Sequence, residues 1–413
     1  MPPRVTPFRP FARFTEMAMM FDRLKRVFSA SAREARLQEY LERLRQQLPV
    51  PVFWLFGKTQ SGKTAIIKYL TGAESAEIGK GFQSCTRFSR EYQFPLREAP
   101  LLTFLDTRGL DEPGYDPAED LARFNDQAHV LVVTVKALDH AQENVLTHLR
   151  TIRRAKPSRP VLLVLTCLHE AYPQQQHPLP YPFDADGQPS ADPPALPADL
   201  LRSLTEQRRR FEGLADRVVA VDLTPAEEGY NDPDYGGPQL RQALLDLLPA
   251  AFRQTLLSLD EASRGLQDFH LQQALPYIVA YSTLAGSAAA LPLPVVDLVL
   301  LSAIQSRMVY HLAEIYREPL TSRRFLEIAG TLGFSMLLRQ GSRMLLKYIP
   351  YIGTTLGSVT SGTLAGASTF ALGKAFCYYY QAVHQGHVPR PDELRRYYRD
   401  QFVRAERTWK NKP

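Results

Sequence analysis

One segment near the start of the chain constrains the fold more than any other. The apolar run Val52–Phe56 predicts a short buried strand, Gly57–Thr64 has the sequence GKTQSGKT, and Ala65–Leu70 predicts a helix. This is the pattern G-x-x-x-x-G-K-[ST] in the strand-to-helix setting that it requires. Glycines let the backbone turn tightly, so that successive N–H groups point at phosphate oxygens, and the start of a helix favours an anion. The segment therefore predicts a site for the phosphates of a nucleotide.

The residues of this loop have separate predicted roles. Lys63 should reach the β- and γ-phosphates, and the hydroxyl of Thr64 should ligate Mg²⁺. The rest of the loop should wrap its backbone around the phosphates. The predicted nucleotide-binding residues of the loop are Gly57, Lys58, Thr59, Gln60, Ser61, Gly62, Lys63 and Thr64.

Further apolar runs follow the loop at intervals, with helix-like segments such as Asn144–Arg154 between them. The runs are Leu101–Leu105, Val130–Val135, Val161–Leu165 and Arg217–Val221. Runs that are apolar on both faces and alternate with helices indicate a mainly parallel sheet flanked by helices, an α/β fold. Ligands of such sheets bind at the carboxyl ends of the strands.

Three residues beyond the loop are candidates for the γ-phosphate end of the site. Thr86 lies in a polar turn near glycines, where a threonine can bind Mg²⁺ when a γ-phosphate is present. Asp106 ends the strand Leu101–Leu105, and Gly109 follows three residues later, so that its N–H can approach the γ-phosphate. The predicted metal ligands are Thr64, Thr86 and Asp106, and the predicted catalytic residues are Lys63, Thr86 and Gly109.

Together these motifs resemble the Era-like (TRAFAC-type) P-loop GTPases. The resemblance covers about Pro49 to Pro249 and includes Thr166, the threonine that follows the strand Val161–Leu165. It implies GTP/GDP and Mg²⁺ as ligands, with Thr86 as the switch-one threonine and Asp106 and Gly109 as switch-two residues. Leu110 stands where several GTPases place a water-orienting glutamine. This implies slow intrinsic hydrolysis, helped by a partner, a second protomer or a monovalent cation.

The base-reading segment departs from the pattern [NT]-K-x-D of the family. Thr166 matches, whereas Cys167 and His169 replace the lysine and the aspartate. Thr166 and His169 are nevertheless the candidates for contact with the base. Asp222-Leu223-Thr224 occupies the place of the last base-contacting loop and matches its usual sequence poorly. Guanine is implied by the resemblance alone, and ATP or weak base discrimination stays open.

Two other segments carry open alternatives. Apolar residues recur at helical spacing up to Leu48 and predict an N-terminal amphipathic helix within residues 1–48, packed on another domain or lying on a membrane surface. The proline-dense residues 172–197 predict an insertion in the GTPase domain, which we assign to residues 49–250. The aromatic residues Tyr172, Tyr181 and Phe183 either cover the nucleotide or belong to a solvent loop.

The last third, residues 251–413, predicts a helical domain. Its uncharged stretches, Leu271–Val296 and Tyr348–Gly373, have lengths that match a bilayer span, but Pro276 and other prolines should interrupt the first. The segments Pro292–Asp297 and Ile304–Val309 resemble a YcjF-type domain of unknown function, which implies a membrane-linked helical domain in bacteria. Three interpretations of this domain stay open: a soluble helical bundle, a peripheral domain that inserts conditionally into a membrane, and helices that span it. The basic tail predicts a terminal helix, either solvated or in contact with anionic lipid.

The bulk properties are compatible with this assignment. A net charge of +6 does not choose among partners, and three cysteines indicate a reducing compartment. We expect a GTP-binding, slowly hydrolysing switch in the cytoplasm, peripheral or integral at the inner membrane, coupled to its helical domain. Membrane lipids, a protein partner or a second protomer are the expected partners, and nucleic acid is not. The alternatives are a nucleotide-bound scaffold with little hydrolysis and a membrane-perforating effector.

Overall fold

A computed structural model gives the fold of most of the chain. It describes residues 50–73, 83–84, 89–97, 99–107, 117–124, 126–172, 174, 176–184, 186–190, 194–224, 226–250, 252–253, 255–256, 269–290, 296–317, 361–385 and 387–410. The described residues fall into two compact units, one within residues 49–265 and one within residues 266–413. The predicted helix within residues 1–48 lies outside the described residues.

A seven-stranded sheet forms the centre of the first unit. Its strands are β1 (Val52–Gly57), β2 (Gln83–Ser84), β3 (Ser89–Pro95), β4 (Pro100–Thr107), β5 (Val130–Lys136), β6 (Val161–Thr166) and β7 (Arg217–Ala220). They lie in the order β2-β3-β4-β1-β5-β6-β7, in which β4, β1, β5, β6 and β7 are parallel and β2 and β3 form an antiparallel edge. The prediction of a mainly parallel sheet is confirmed.

Helices flank this sheet, as the alternating pattern predicts. They are α1 (Lys63–Thr71), α2 (Pro117–Phe124), α3 (Glu143–Ala155), α4 (Ala198–Arg210) and α5 (Gly237–Leu247). A short ribbon of β8 (Asp222–Leu223) and β9 (Asp234–Tyr235) follows β7. Every residue of β6 is buried, because layers cover both faces of the central strands.

Trp54 lies at the centre of the core beneath the phosphate-binding loop. Its side chain is fully buried, and its indole N–H donates a hydrogen bond to Oγ1 of Thr107 at 2.7 Å. The ring of Phe124 packs edge-on against it, with 5.6 Å between the centroids, and the guanidinium of Arg159 lies 5.3 Å from the indole. The indole therefore ties β1 to the carboxyl end of β4.

Part of the proline-dense segment packs into the same unit. The hydroxyl of Tyr181 donates to the carbonyl of Ala220 at 2.6 Å, and Phe183 is a buried member of the core beside the sheet. Tyr172 is partly buried against the same cluster. The solvent-loop interpretation therefore does not describe these aromatic side chains.

Four helices make up the described part of the second unit. They are α6 (Phe269–Ala290), α7 (Val296–Ile315), α8 (Ser361–His384) and α9 (Pro391–Lys410). Gly373 of α8 faces Ile278 of α6 so closely that an added Cβ would lie 2.8 Å from its Cγ1. Gln305 of α7 donates to Thr369 of α8 at 3.1 Å within the buried interior. Small residues and this polar contact therefore join the helices.

The sequence prediction fails at one proline of this unit. Pro276 was expected to interrupt the first uncharged stretch, yet it lies inside α6 and is buried. Packing against neighbouring helices evidently offsets the local cost of a proline, which is about 3 kcal/mol in a helix interior. In the part of the chain that the structure describes, none of the helices combines the length and apolar character needed to cross a bilayer.

Candidate nucleotide-binding site

The loop between β1 and α1 has the geometry of an anion-binding cradle. Gln60 and Gly62 have positive φ angles of 59° and 86°, and α1 begins at the next residue without a side-chain cap. The backbone amides of Thr59, Gln60, Gly62 and Thr64 donate no hydrogen bond to any residue that the structure describes. Amides at an uncapped helix start carry the positive end of the helix dipole. The loop therefore presents donors and partial positive charge at one place.

Two lysines add full positive charges to this loop. The ammonium of Lys63 donates to the carbonyl oxygens of Gly57 at 2.9 Å and Lys58 at 2.7 Å, so it lies directly on the loop. The ammonium of Lys58 pairs with Oδ2 of Asp139 at 2.8 Å. Burial raises the pKa of the Asp139 carboxyl, but the hydrogen bond and charge of Lys58 together with the backbone N–H of Ala141 and the side chain of Gln142 outweigh it, and the pKa lies below its ordinary value. Lys58 is thus held against the loop after β5, whereas Lys63 remains with the cradle.

Gly57 is required by a close approach of β5. Oγ of Ser61 and Oγ1 of Thr134 form a hydrogen bond of 2.6 Å across the loop. A Cβ at Gly57 would lie 2.3 Å from Oγ1 of Thr134 and 2.5 Å from its backbone oxygen. No real Cβ occupies such a position, so any side chain here displaces β5 or the loop.

Gly57→Ala is therefore expected to destabilise the first unit by about 3 kcal/mol, at the upper end of overpacking effects, because one of the atoms met is backbone. The matched control is Gly213→Ala, where φ is +74° but no atom lies within 4 Å of the added Cβ. That control should cost about 1 kcal/mol. Urea unfolding would measure both, and equal losses would contradict the proposed close approach.

The candidate metal ligands are only partly within the described residues. Asp106 pairs in register with Leu55, at the carboxyl end of the strand next to β1, and Thr64 is exposed in the first turn of α1. A hydroxyl and a carboxylate at one edge of the sheet are oxygen donors of the kind that Mg²⁺ prefers, so they fit that ion. Thr86 and Gly109, the predicted switch residues, lie outside the described residues.

A pocket of about 120 Å³ continues from the loop along the sheet edge. Gly62 and Ile66 line it at the start of α1, and Thr166 and His169 line it after β6. The hydroxyl of Thr166 donates to the carbonyl of Ser61 at 3.1 Å. Both residues predicted to contact the base therefore lie beside the phosphate-binding loop, at one pocket.

The third wall of this pocket contains Asp222, which was not among the predicted site residues. Its carboxylate is 2% exposed and is held by His169, whose backbone N–H donates at 2.5 Å and whose Nδ1 lies at 2.7 Å. The hydrogen bond to Asp222 raises the pKa of the His169 imidazole. The signal for Asp222 in the sequence was its place at the start of Asp222-Leu223-Thr224, the segment that stands where the family has its last base-contacting loop.

The backbone of Cys167 also distinguishes this segment from the family pattern. Cys167 occupies the lysine position with a left-handed φ of 57°, and burial raises the pKa of its thiol. A half-buried neutral side chain therefore lies where the pattern has a cation.

Comparisons with known proteins agree with the two-part organisation. Residues 52–167 match the family described as 50S ribosome-binding GTPase, and residues 253–407 match the domain of unknown function DUF697. Magnetosome membrane protein 22 of Magnetospirillum gryphiswaldense is 30% identical over 131 residues, which make up 30% of this chain and 67% of that protein. The chain belongs to the family of this relative. It carries a GTP-binding P-loop GTPase domain followed by a DUF697 domain, so the predicted resemblance to GTPases is confirmed at that level.

Solved structures similar to this chain include three that are each at most 20% identical to it. A bacterial selenocysteine-specific elongation factor is 20% identical, with coverage of 48% of this chain and 28% of that one and a TM-score of 0.28. The G domain of the T. maritima FeoB iron transporter is 16% identical, with coverage of 48% and 98% and a TM-score of 0.26. The chloroplast translocon components atToc33 and psToc159 give 18% identity, coverage of 53% and 90%, and a TM-score of 0.29. Scores this low add nothing about the function of the present chain.

Proposed function

We propose that the chain is a molecular switch that binds guanine nucleotide with Mg²⁺ and hydrolyses GTP slowly. The observation that carries this proposal is the cradle at the start of α1, with amides that make no bonds to described residues and the ammonium of Lys63 lying on it. Such a cradle suits the oxygens of a di- or triphosphate. The Era-like character of the domain is part of this proposal.

Each residue of the cradle has a part in holding the nucleotide. Lys63 offsets the charge of the β- and γ-phosphates, and Thr64 and Asp106 hold the metal ion at the sheet edge. When bound, Mg²⁺ neutralises charge on the phosphate oxygens. Thr86 and Gly109 order their segments on the γ-phosphate and release them after hydrolysis. Leu110 cannot orient a water molecule by hydrogen bonding, so hydrolysis is slow without a partner, a second protomer or a monovalent cation.

The second unit links the switch to membranes in this proposal. The relative is named a membrane protein, and the present chain shares its family. The terminal helix α9 also exposes five arginines, Arg395, Arg396, Arg399, Arg404 and Arg407, beside the exposed acidic residues Asp392 and Asp400. Each arginine attracts anionic headgroups by about 1 kcal/mol near the surface, and the two carboxylates offset part of this attraction. The YcjF-type assignment and a cytoplasmic location at the inner membrane belong to the same proposal.

Turnover with and without metal tests the enzymatic part. Purified protein should release phosphate from GTP at a rate on the order of 10⁻⁴–10⁻² s⁻¹, the range of unassisted GTPases. Chelation of Mg²⁺ with EDTA should remove this release, and ATP should be turned over more slowly. Tight GDP binding with phosphate release no faster than in protein-free buffer would instead favour the scaffold alternative.

A further inference from the structure

The wall of the pocket opposite α1 is built around a histidine–aspartate pair. His169 occupies the position at which GTPases of the resembled group have the base-reading aspartate, and it is half-buried at the pocket. The carboxylate of Asp222 accepts hydrogen bonds from the backbone N–H of His169 and from its ring nitrogen Nδ1. The carboxylate therefore follows β7, one strand away from the position of the family aspartate. The imidazole of His169 occupies that position, after β6.

This arrangement fixes the tautomer of His169. A carboxylate offers only acceptors, so Nδ1 must carry the proton in the 2.7 Å contact with Asp222. In the neutral ring Nε2 is then an acceptor, and no residue that the structure describes bonds to it. The ring can thus offer one lone pair to a ligand of the pocket that His169 lines, where an aspartate would offer two oxygens.

Residues of the insertion and of β9 pack against the histidine–aspartate pair. The ring of His177 is fully buried and is stacked between Tyr235 at 4.3 Å and Tyr230 at 5.0 Å. Its Nδ1 lies 3.9 Å from Oδ2 of Asp222, and burial lowers the pKa of His177 so that it stays neutral. Asp222 is consequently confined between two histidines.

The charged groups around His169 all favour the protonated form of its imidazole. Asp222, Glu170 and Glu228 all raise the pKa of its imidazole. Tyr230 packs against the ring at 5.5 Å, and burial raises the pKa of its phenol, which keeps it neutral. Protonation of His169 therefore takes place at a higher pH than for an ordinary histidine.

We propose that Nε2 of His169 accepts a hydrogen bond from N1–H of the purine, with Asp222 as the positioning residue that makes Nε2 an acceptor. This inference rests on the proposed function, since it assigns a base to the same nucleotide site. One acceptor pairs with N1–H of guanine or hypoxanthine equally well and leaves the 2-amino group of guanine unread. Adenine has an acceptor at N1 and is disfavoured.

Competition binding against a fluorescent GDP analogue tests the wild-type chain. GDP and IDP should bind within about threefold of each other, and ADP about tenfold more weakly, as expected for one lost hydrogen bond. The affinity for GDP relative to ADP should fall as the pH is lowered through the pKa of His169, because the imidazolium places a donor at Nε2. A preference for GDP over IDP greater than tenfold overturns the inference.

The variant Asp222→Asn tests whether Asp222 controls the tautomer of His169 or only supports the structure. The amide oxygen can still accept the backbone N–H of His169, but its NH₂ group donates to Nδ1 and so moves the proton to Nε2. GDP and IDP should then lose about tenfold in affinity, whereas ADP should not. The affinity for GDP relative to ADP should no longer fall as the pH is lowered through the pKa that His169 has in the wild type. Nitrogen-15 NMR of His169 in the nucleotide-free protein should show the change of tautomer.

Two further variants complete the test. Asp199→Asn makes the same chemical change on an exposed side chain of α4 and should leave the purine preference at the wild-type ratios. His169→Asp combined with Asp222→Asn restores a carboxylate at the base and should favour GDP over IDP by tenfold or more. An equal loss of all three nucleotides in Asp222→Asn, or unchanged ratios, overturns the inference while the proposed function stands. Absence of binding by every purine nucleotide to the wild type overturns both.

Discussion

Replacing Lys63 with alanine should lower the affinity for GDP and GTP at least 100-fold without unfolding the protein. The ammonium lies on two loop carbonyls at 2.7 and 2.9 Å, beside the amides of the cradle. Hydrogen bonds from charged groups contribute about 1.5–3 kcal/mol each, and two such bonds to phosphate correspond to a factor of 100 or more. The alanine variant loses these bonds and leaves phosphate charge uncompensated.

Calorimetric titration with GDP in the presence of Mg²⁺ would measure this loss. The matched control is Lys68→Ala, which removes a lysine from the last turn of the same helix. Its affinity should stay within about twofold of the wild type. Circular dichroism should show equal helix content in all three proteins. An alanine variant at 63 that binds GDP as tightly as the control would remove the basis for a phosphate site here.

Trp54→Ala should destabilise the first unit by about 3–5 kcal/mol, the cost of deleting a fully buried large aromatic side chain. The variant leaves a cavity between β1 and Phe124 and also leaves the buried hydroxyl of Thr107 without the indole N–H. Thr107 directly follows Asp106, so the carboxyl end of β4 loses a support at the proposed metal position. Since small domains are stable by only about 5–15 kcal/mol, this loss removes a large part of the stability of the unit.

Urea unfolding, followed by circular dichroism, measures this effect against two variants. Trp54→Phe keeps most of the volume but not the hydrogen bond, and it should cost about 1–2 kcal/mol. Leu179→Ala truncates a residue that is 57% exposed in the same unit and should change stability by less than about 0.5 kcal/mol. If Trp54→Ala unfolded at the same urea concentration as Leu179→Ala, the indole would not be the core anchor described above.

The sequence predicted the parallel strands because each is a short apolar run between turn residues. The run Val161–Leu165 became β6 (Val161–Thr166), and Leu101–Leu105 became β4 with one extra residue at its start and two at its end. Strand ends are set by hydrogen-bonding partners from other strands, which hydrophobicity does not report. The glycine–lysine loop was recognisable because its chemistry depends on local residues in one stretch.

The base pocket was harder to predict because its members come from distant parts of the chain. Asp222 and His169 are 53 residues apart and meet only when β6 and β7 pair. His177 and Tyr235 enter the same wall from the insertion and from β9, through stacking that no local pattern indicates. Pro276 shows the same limit in the second unit, since tertiary packing decided whether a proline ends a helix.

The hydroxyl of Thr166 joins the two ends of the pocket. It donates to the carbonyl of Ser61, and a Cβ at Gly62 would lie 3.2 Å from its Cγ2. Binding of the purine and binding of its phosphates are consequently coupled, because a movement at the end of β6 that displaces Thr166 also disturbs its contacts with the loop backbone. Free energies measured for nucleoside and for inorganic pyrophosphate should therefore not add up to that of the intact nucleotide.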